Sequence, residues 1–202
     1  GNFSLVIYDA GRREVKLISD RLGFRPLHFV QRDGRVIFGT ELKAVCAADP
    51  GAKKIDETGL LELFSYGSAF MNRTWMDGYT RLAPATVMTI DEEGINTKTY
   101  WNYKYDEDAK TLNQKSYMSI YRTLLDRAVE RNMKGTRRIG IFLSGGYDSR
   151  AVAASIRKQH LPIPAITFGD GSSRDIRFAA QLAEALGLDH HPLSGQGPYL
   201  QD

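Results

Sequence analysis

The sequence predicts two unlike halves in one chain: an α+β half built on antiparallel strands, followed by an α/β half with a parallel sheet. Three observations predict this. Short runs of β-branched and aromatic residues, separated by turn residues, fill the first hundred positions. A polar, turn-prone stretch covers residues 102–114. After it, apolar residues recur at helical spacing and alternate with compact apolar strands.

Residues 3–8, 15–19, 27–31 and 36–38 are the first strands, because their side chains suit a pleated, half-buried surface. Asp9-Ala-Gly11 and Arg32-Asp-Gly34 supply the turns of two consecutive hairpins, each glycine being free to take φ > 0. Residues 41–47 predict a short helix. Residues 56–66 predict another, opened by the acid Asp56 and ended at Gly67. Residues 87–90 and 95–100 form a further hairpin across Asp91-Glu-Glu-Gly94. The linker 102–114 carries Asp106, Glu107 and Asp108, read as solvated charge rather than a metal site. Beyond it, Met118, Tyr121, Leu125, Ala128 and Val129 predict one buried helical stripe. Residues 138–143 predict a strand, 151–159 a helix stopped by Pro162, 164–168 a second strand, and 175–186 a second helix. On that helix Ile176, Ala179, Ala180, Ala183 and Leu186 share a face. Strand, helix, strand, helix in this order implies parallel pairing with right-handed crossovers. The organisation expected is a domain at 1–101, a linker at 102–114 and a second domain at 115–202.

Composition narrows the function classes. With 202 residues, 42% hydrophobic and 25% charged, the chain buries a core and is neither disordered nor fibrous. No apolar run reaches ~18 residues and no signal-peptide layout opens the chain, so no membrane partner and a cytoplasmic location are expected. Lysine and arginine total 27 against 24 acids. A net charge of +3 falls short of the basic stripe that nucleic acid requires, and Arg12-Arg13 and Arg137-Arg138 read as solvated or pairing charges. Cys46 stands alone, which excludes a disulfide or thiolate cluster within this chain and suits a reducing compartment. Within Ala44-Val-Cys-Ala-Ala48 it reads as buried filler rather than a nucleophile.

The chemistry is concentrated in Ser144-Gly-Gly-Tyr-Asp-Ser149, which follows the apolar run Ile139-Gly-Ile-Phe-Leu143 and precedes a helix. Glycines let the backbone curl so that successive N–H groups face one concavity, and the following helix N-terminus adds partial positive charge. Ser144 and Ser149 can donate to the same oxygens. Asp148 beside a phosphate requires a cation between them, and Mg²⁺ held by a carboxylate and phosphate oxygens is the natural choice. The plainer reading is a Gly-Gly turn with a helix cap. No Gly-Lys-Ser/Thr follows, so this is not a Walker loop.

Ser144-Gly-Gly-Tyr-Asp-Ser149 resembles the signature of the ATP pyrophosphatases, which cleave ATP between its α and β phosphates, and within them the asparagine synthetase family. Phe3-Ser-Leu-Val-Ile-Tyr-Asp9, Asp20-Arg-Leu-Gly-Phe-Arg-Pro-Leu27, Phe38-Gly-Thr-Glu-Leu-Lys-Ala44 and Leu82-Ala-Pro-Ala85 resemble the later half of that family's glutaminase domain. Thr167-Phe-Gly169, Asp175, Ala179, Ala183, Leu186-Gly187 and His190-His191 continue the likeness. The resemblance implies part of an Ntn-type antiparallel glutaminase domain, then the start of a PP-loop, adenine-nucleotide alpha-hydrolase-like synthetase domain. It implies ATP and Mg²⁺, an aspartate-like carboxylate substrate activated as an acyl-adenylate, and ammonia drawn from glutamine, and it leaves a homodimer open as the assembly. Ser144, Gly145, Gly146 and Ser149 would hold pyrophosphate, Asp148 would ligate Mg²⁺, and the backbone of Leu143 and Phe168 would border adenine.

Departures qualify the likeness. Family glutaminases use an N-terminal cysteine nucleophile, whereas this chain starts with Gly1, without the Arg-bearing segment and Asn-Gly-Glu motif expected before Phe3, so it is expected to begin partway through that domain. The later acidic pair and catalytic lysine are not reached before Asp202. The expectation is an incomplete stretch of the family with no complete catalytic set, inactive alone. Arg150 replaces a serine and either contacts phosphate or faces solvent. His190 and His191 read as structural, Trp75, Trp101 and the tyrosines as packing, and Asp20, Arg21, Arg25 and Glu41 as a structural ion-pair network. Two other readings stay open: a β-lactam-synthetase-like ligase without glutaminase activity, and a non-catalytic nucleotide-binding module.

Overall fold

The computed structural model of the chain describes residues 1–105, 112–135, 138–158 and 163–193. Asp106, Glu107, Asp108, Arg137 and Pro162, all discussed above, lie outside them. Two compact units are present, Gly1–Tyr105 and Asp106–Asp202.

In the first unit, β1 (Ser4–Asp9) and β2 (Glu14–Ser19) form a hairpin, as do β3 (His28–Arg32) and β4 (Arg35–Gly39). The two predicted hairpins exist but belong to different sheets. β2 pairs with β6 (Thr86–Asp91), which pairs with β7 (Gly94–Thr99), giving an antiparallel sheet of order β1-β2-β6-β7. β3 also pairs with β5 (Thr80–Arg81), a strand too short to announce itself, giving the order β4-β3-β5. Asp33 and Gly34 adopt the left-handed conformation in the β3–β4 turn, as the sequence requires. The β1–β2 turn is a correction: Arg13, not Gly11, takes positive φ, while Asp9 Oδ1 accepts from Gly11 N and Arg12 N.

Helix α1 (Leu42–Ala48) and helix α2 (Glu57–Tyr66) follow the predicted spans. The Asp56 side chain caps α2 by accepting from Gly59 N at 2.8 Å, and Gly67 ends it in the left-handed conformation. Leu17, Leu27, Leu82 and Met88 form one core and Val30, Val45, Met76 and Tyr79 another, with Cys46 packed against the second. Beneath that second core Asp49 is buried. Its carboxylate accepts from Arg32 Nε, Tyr79 Oη at 2.7 Å and Gly51 N at 2.9 Å. Burial, aided by the Asp49 charge, pushes the Tyr79 phenol up to about 12.

In the second unit β8 (Ile141–Phe142), β9 (Pro164–Phe168) and β10 (Asp189–Leu193) form a parallel sheet of order β10-β9-β8. The strand predicted over 138–143 is only two residues long, because it pairs solely through Ile141–Ala165 and Phe142–Ile166. Helix α3 (Gln114–Met133), α4 (Tyr147–Lys158) and α5 (Arg174–Leu186) complete the unit. Its core joins Val129, Leu143, Ala153, Ile156, Ala165, Ala179 and Ala183.

Two expected helix faces need correction. On α3 only Val129 is buried and Leu125 half-buried, whereas Met118 is 62% and Tyr121 57% exposed and Ala128 is exposed. Met118 and Tyr121 line an open cleft of about 500 Å³ with Ala151 and Ala154 of α4, so the helical period marks an apolar face that this unit does not cover. On α5 Ala180 is exposed. Ala179 and Ala183 are buried, and Leu182 and Leu186 pack against that core. Among the described residues no helix is long and apolar enough to cross a membrane.

Candidate functional site

The site lies at the carboxyl end of β8. The strand stops at Phe142, Leu143 N donates to the Ile166 carbonyl at 2.8 Å, and α4 begins at Tyr147. The helix predicted to start at 151 therefore starts four residues earlier. The loop proper is Ser144, Gly145 and Gly146, and Asp148 and Ser149 sit in the first helical turn. That turn leaves the N–H groups of Tyr147, Asp148 and Ser149 without a helical carbonyl to bond, and its dipole favours an anion there.

Within the loop the two serines meet. Ser144 Oγ and Ser149 Oγ are 3.0 Å apart, Ser144 N donates to Ser149 Oγ at 3.2 Å, and Gly146 N donates to Ser144 Oγ at 3.2 Å. Ser149 Oγ also lies within reach of the Ser144 and Gly146 carbonyls. Gly145 N donates to Asp175 Oδ1 at 2.9 Å. Neither loop glycine takes positive φ. Gly145 is required instead by close approach, since a Cβ would stand 2.8 Å from Asp175 Oδ1 and 3.3 Å from Phe178. At Gly146 a Cβ would meet only Ser144 Oγ, at 3.3 Å.

Asp148 is exposed, and among the described residues its carboxylate has no hydrogen-bond or ion-pair partner. No cluster of three potential ligands occurs among the described residues. A single unengaged carboxylate at a helix N-terminus fits Mg²⁺ that arrives with phosphate oxygens, and does not by itself make a metal cage. Arg150 lies along the same turn, its guanidinium 4.4 Å from the Tyr147 ring centroid and its Nε donating to the Gly146 carbonyl at 3.3 Å.

Leu143 and Phe168 end adjacent parallel strands but differ in exposure, Leu143 at 2% and Phe168 at 64%. The Leu143 carbonyl accepts from Thr167 Oγ1, whose oxygen lies 2.8 Å from His190 Nε2. With the Thr167 proton given to Leu143, His190 Nε2 is the donor, fixing its tautomer. His191 instead contacts Asp189, and the two imidazoles do not converge.

Asp175 is the residue that sequence reasoning left outside the site. The available signal was topological: helices following parallel strands begin at the same sheet edge, so the acid opening α5 starts near the loop opening α4.

The first unit also corrects an expectation. Asp20 forms no ion pair with Arg21 or Arg25. Its buried carboxylate accepts from Phe3 N at 3.2 Å, Leu22 N at 2.9 Å, and Phe24 N and Arg25 N at 3.4 Å. Burial alone would raise its pKa, but these N–H dipoles outweigh burial and hold it below the ordinary carboxylate value. Arg21 stacks on Trp101, 5.5 Å from the ring centroid, beside a concavity of about 770 Å³ that Phe3, Phe24 and Tyr103 also line. The sequence expects the tyrosines in core or inter-domain packing; Tyr8, Tyr66 and Tyr147 are not in the core of either unit.

Comparison with known proteins bears on both units. The glutamine amidotransferase domain family matches residues 1–101, and the asparagine synthase family matches residues 121–196. The glutamine-hydrolysing asparagine synthetase 3 of Bacillus subtilis is 30% identical over 209 residues, covering 95% of this chain and 34% of that protein. The glutamine-hydrolysing asparagine synthetase of Cricetulus griseus is 40% identical over 212 residues, with 95% and 34% covered. An amidase of Gibberella zeae, chry2, is 24% identical over 213 residues, with 95% and 31% covered. The chain spans about a third of the length of these relatives. Matched along both units, in order, by the two family halves, the chain belongs to the asparagine synthetase family.

Proposed function

We propose that residues 144–149 bind the pyrophosphate portion of ATP in an asparagine-synthetase-like amide-forming reaction. The single observation that carries this is the meeting of Ser144 and Ser149 hydroxyls, 3.0 Å apart, at the N-terminus of α4 with the unpartnered Asp148 beside them. Each serine hydroxyl now held by a neighbour within the loop can rotate to donate to a phosphate oxygen, and the first-turn N–H groups add donors that cost no reorganisation. A carboxylate substrate resists attack because its leaving group would be oxide. Transfer of AMP to it gives an acyl-adenylate, and pyrophosphate leaves; an ammonia nitrogen then displaces AMP to form the amide. Asp148 is the residue of this chain that would hold Mg²⁺, which would supply positive charge to offset the charge developing on pyrophosphate. The backbone at Leu143 and Phe168 borders the space for adenine at the carboxyl edge of the sheet, where open α/β sheets bind their ligands.

Family membership supports the substrate classes: ATP, an aspartate-like carboxylate and glutamine-derived ammonia. The domain division 1–101, 102–114 and 115–202 follows from the same reading. Calorimetric titration of the chain with ATP, in Mg²⁺ and then in EDTA, tests it. Saturable binding that needs Mg²⁺ is expected; no binding, or equal binding in EDTA, overturns the loop assignment. Aspartate-dependent exchange of labelled pyrophosphate into ATP, measured with the chain in its natural polypeptide, tests the acceptor.

A further inference from the structure

We propose that Asp175 is a positioning residue for the phosphate loop: its carboxylate fixes the Gly145 amide and thereby sets the conformation in which Ser144, Ser149 and the first turn of α4 meet a phosphate. This rests on the pyrophosphate-loop reading of residues 144–149.

Three observations carry it. The hydrogen bond from Gly145 N to Asp175 Oδ1 is 2.9 Å long and joins residues thirty positions apart in sequence. Asp175 is not needed to start its own helix, because Ser173 caps α5 by accepting from Ile176 N at 3.3 Å. Gly145, with ordinary negative φ, is explained by nothing except the closeness of Asp175 and Phe178.

The loop amides thus divide into two kinds. Ser144 N and Gly146 N are held by serine hydroxyls, which one torsional rotation turns from acceptor toward the amide into donor toward a ligand. Gly145 N is held by an ionised carboxylate, which only accepts. Its amide is committed to α5, and the loop is anchored at its middle residue while its flanking groups remain available.

The charge on Asp175 works against a phosphate, so anchoring and electrostatics predict opposite results when the side chain is removed, and a second substitution separates the hydrogen bond from the charge. Asp175→Asn keeps an acceptor oxygen and removes the charge; Asp175→Ala removes both. If Asp175 positions the loop, Asp175→Ala weakens MgATP binding about tenfold, the loss of one charge-assisted hydrogen bond. Asp175→Asn stays within about threefold of wild type or binds tighter. If Asp175 were merely a repelling neighbour or a competitor for the Gly145 amide, both variants would bind tighter, and that outcome overturns the proposal. So does equal loss in both.

Amide hydrogen exchange at Gly145 in the unaltered chain gives a readout that needs no variant. Protection of about tenfold or more over an open amide is expected, and an unprotected Gly145 overturns the anchor. Failure of the wild-type chain to bind MgATP removes the loop reading and this inference together. Wild-type binding with undiminished affinity in Asp175→Ala removes this inference alone.

Discussion

The Thr167 hydroxyl donates to the Leu143 carbonyl oxygen at 2.7 Å, tying β9 to the residue from which the 144–146 loop departs. Because His190 Nε2 donates to the same hydroxyl at 2.8 Å, one buried oxygen on β9 joins the residue that follows β8 to the second residue of β10. Thr167→Val keeps the shape and leaves a carbonyl and an imidazole N–H short of a partner. A loss of about 1–3 kcal/mol in urea unfolding is expected. Thr167→Ser, which restores the hydroxyl, recovers most of it; equal stability of valine and threonine forms would show that water replaces the bond.

Gly59 in the first turn of α2 faces the Thr74 carbonyl so closely that a Cβ would stand 2.1 Å from its oxygen. Backbone cannot yield as a flexible side chain can. Gly59→Ala is expected to destabilise the first unit by about 3 kcal/mol, the upper part of the overpacking range. Thermal unfolding followed by Trp75 and Trp101 fluorescence reads this directly.

Asp148 contributes little to folding, being exposed and without a partner among the described residues. Asp148→Asn is therefore expected to leave the urea midpoint unchanged within about 0.5 kcal/mol. The same substitution lowers ATP affinity at least about tenfold in Mg²⁺, and it does not weaken whatever residual binding is left in EDTA. A loss of equal size in both buffers would assign Asp148 a structural part instead.

Acid should loosen the 20–25 loop. The Asp20 carboxyl has a folded-state pKa below its unfolded value of about 3.9, so its stabilising contribution is complete above about pH 4. That contribution disappears as pH falls through the folded value. Asp20→Asn turns one oxygen into an NH₂ group facing Phe3 N and Arg25 N, which bond Oδ2 in the wild type. The variant is expected to be less stable at pH 7, with a flatter acid limb in urea midpoints recorded from pH 7 to pH 3.

Much of the fold was legible because local chemistry and tertiary need coincide. Asp33-Gly34 encodes its own turn, Asp56 and Gly67 bracket α2, and residues 164–168 are a strand by composition and by pairing. Other features depend on partners distant in sequence. β5 exists only because Thr80 and Arg81 meet β3. The apolar period of α3 records a face without recording whether this unit covers it, so Met118 and Tyr121 read as core and lie open. Asp20 and its neighbouring arginines suggested ion pairs from their charges. Four main-chain donors, invisible in a string of side-chain letters, are what the carboxylate binds. At the loop, the meeting of Ser144 and Ser149 was legible from their order, whereas the contact of Asp175 with Gly145 required the sheet to bring two helix starts together.

Ala179 and Ala183 carry nothing beyond a methyl group, and both are sealed in the core of the second unit along α5, the helix whose opening turn holds Asp175. A larger residue at either site would lift the helix from its seat and carry the acid away from Gly145. If the loop binds a nucleotide as proposed, its grip would drift through mutations that never approach it, and homologues differing only along this buried row would differ in ligand strength while every residue near the mouth stayed the same.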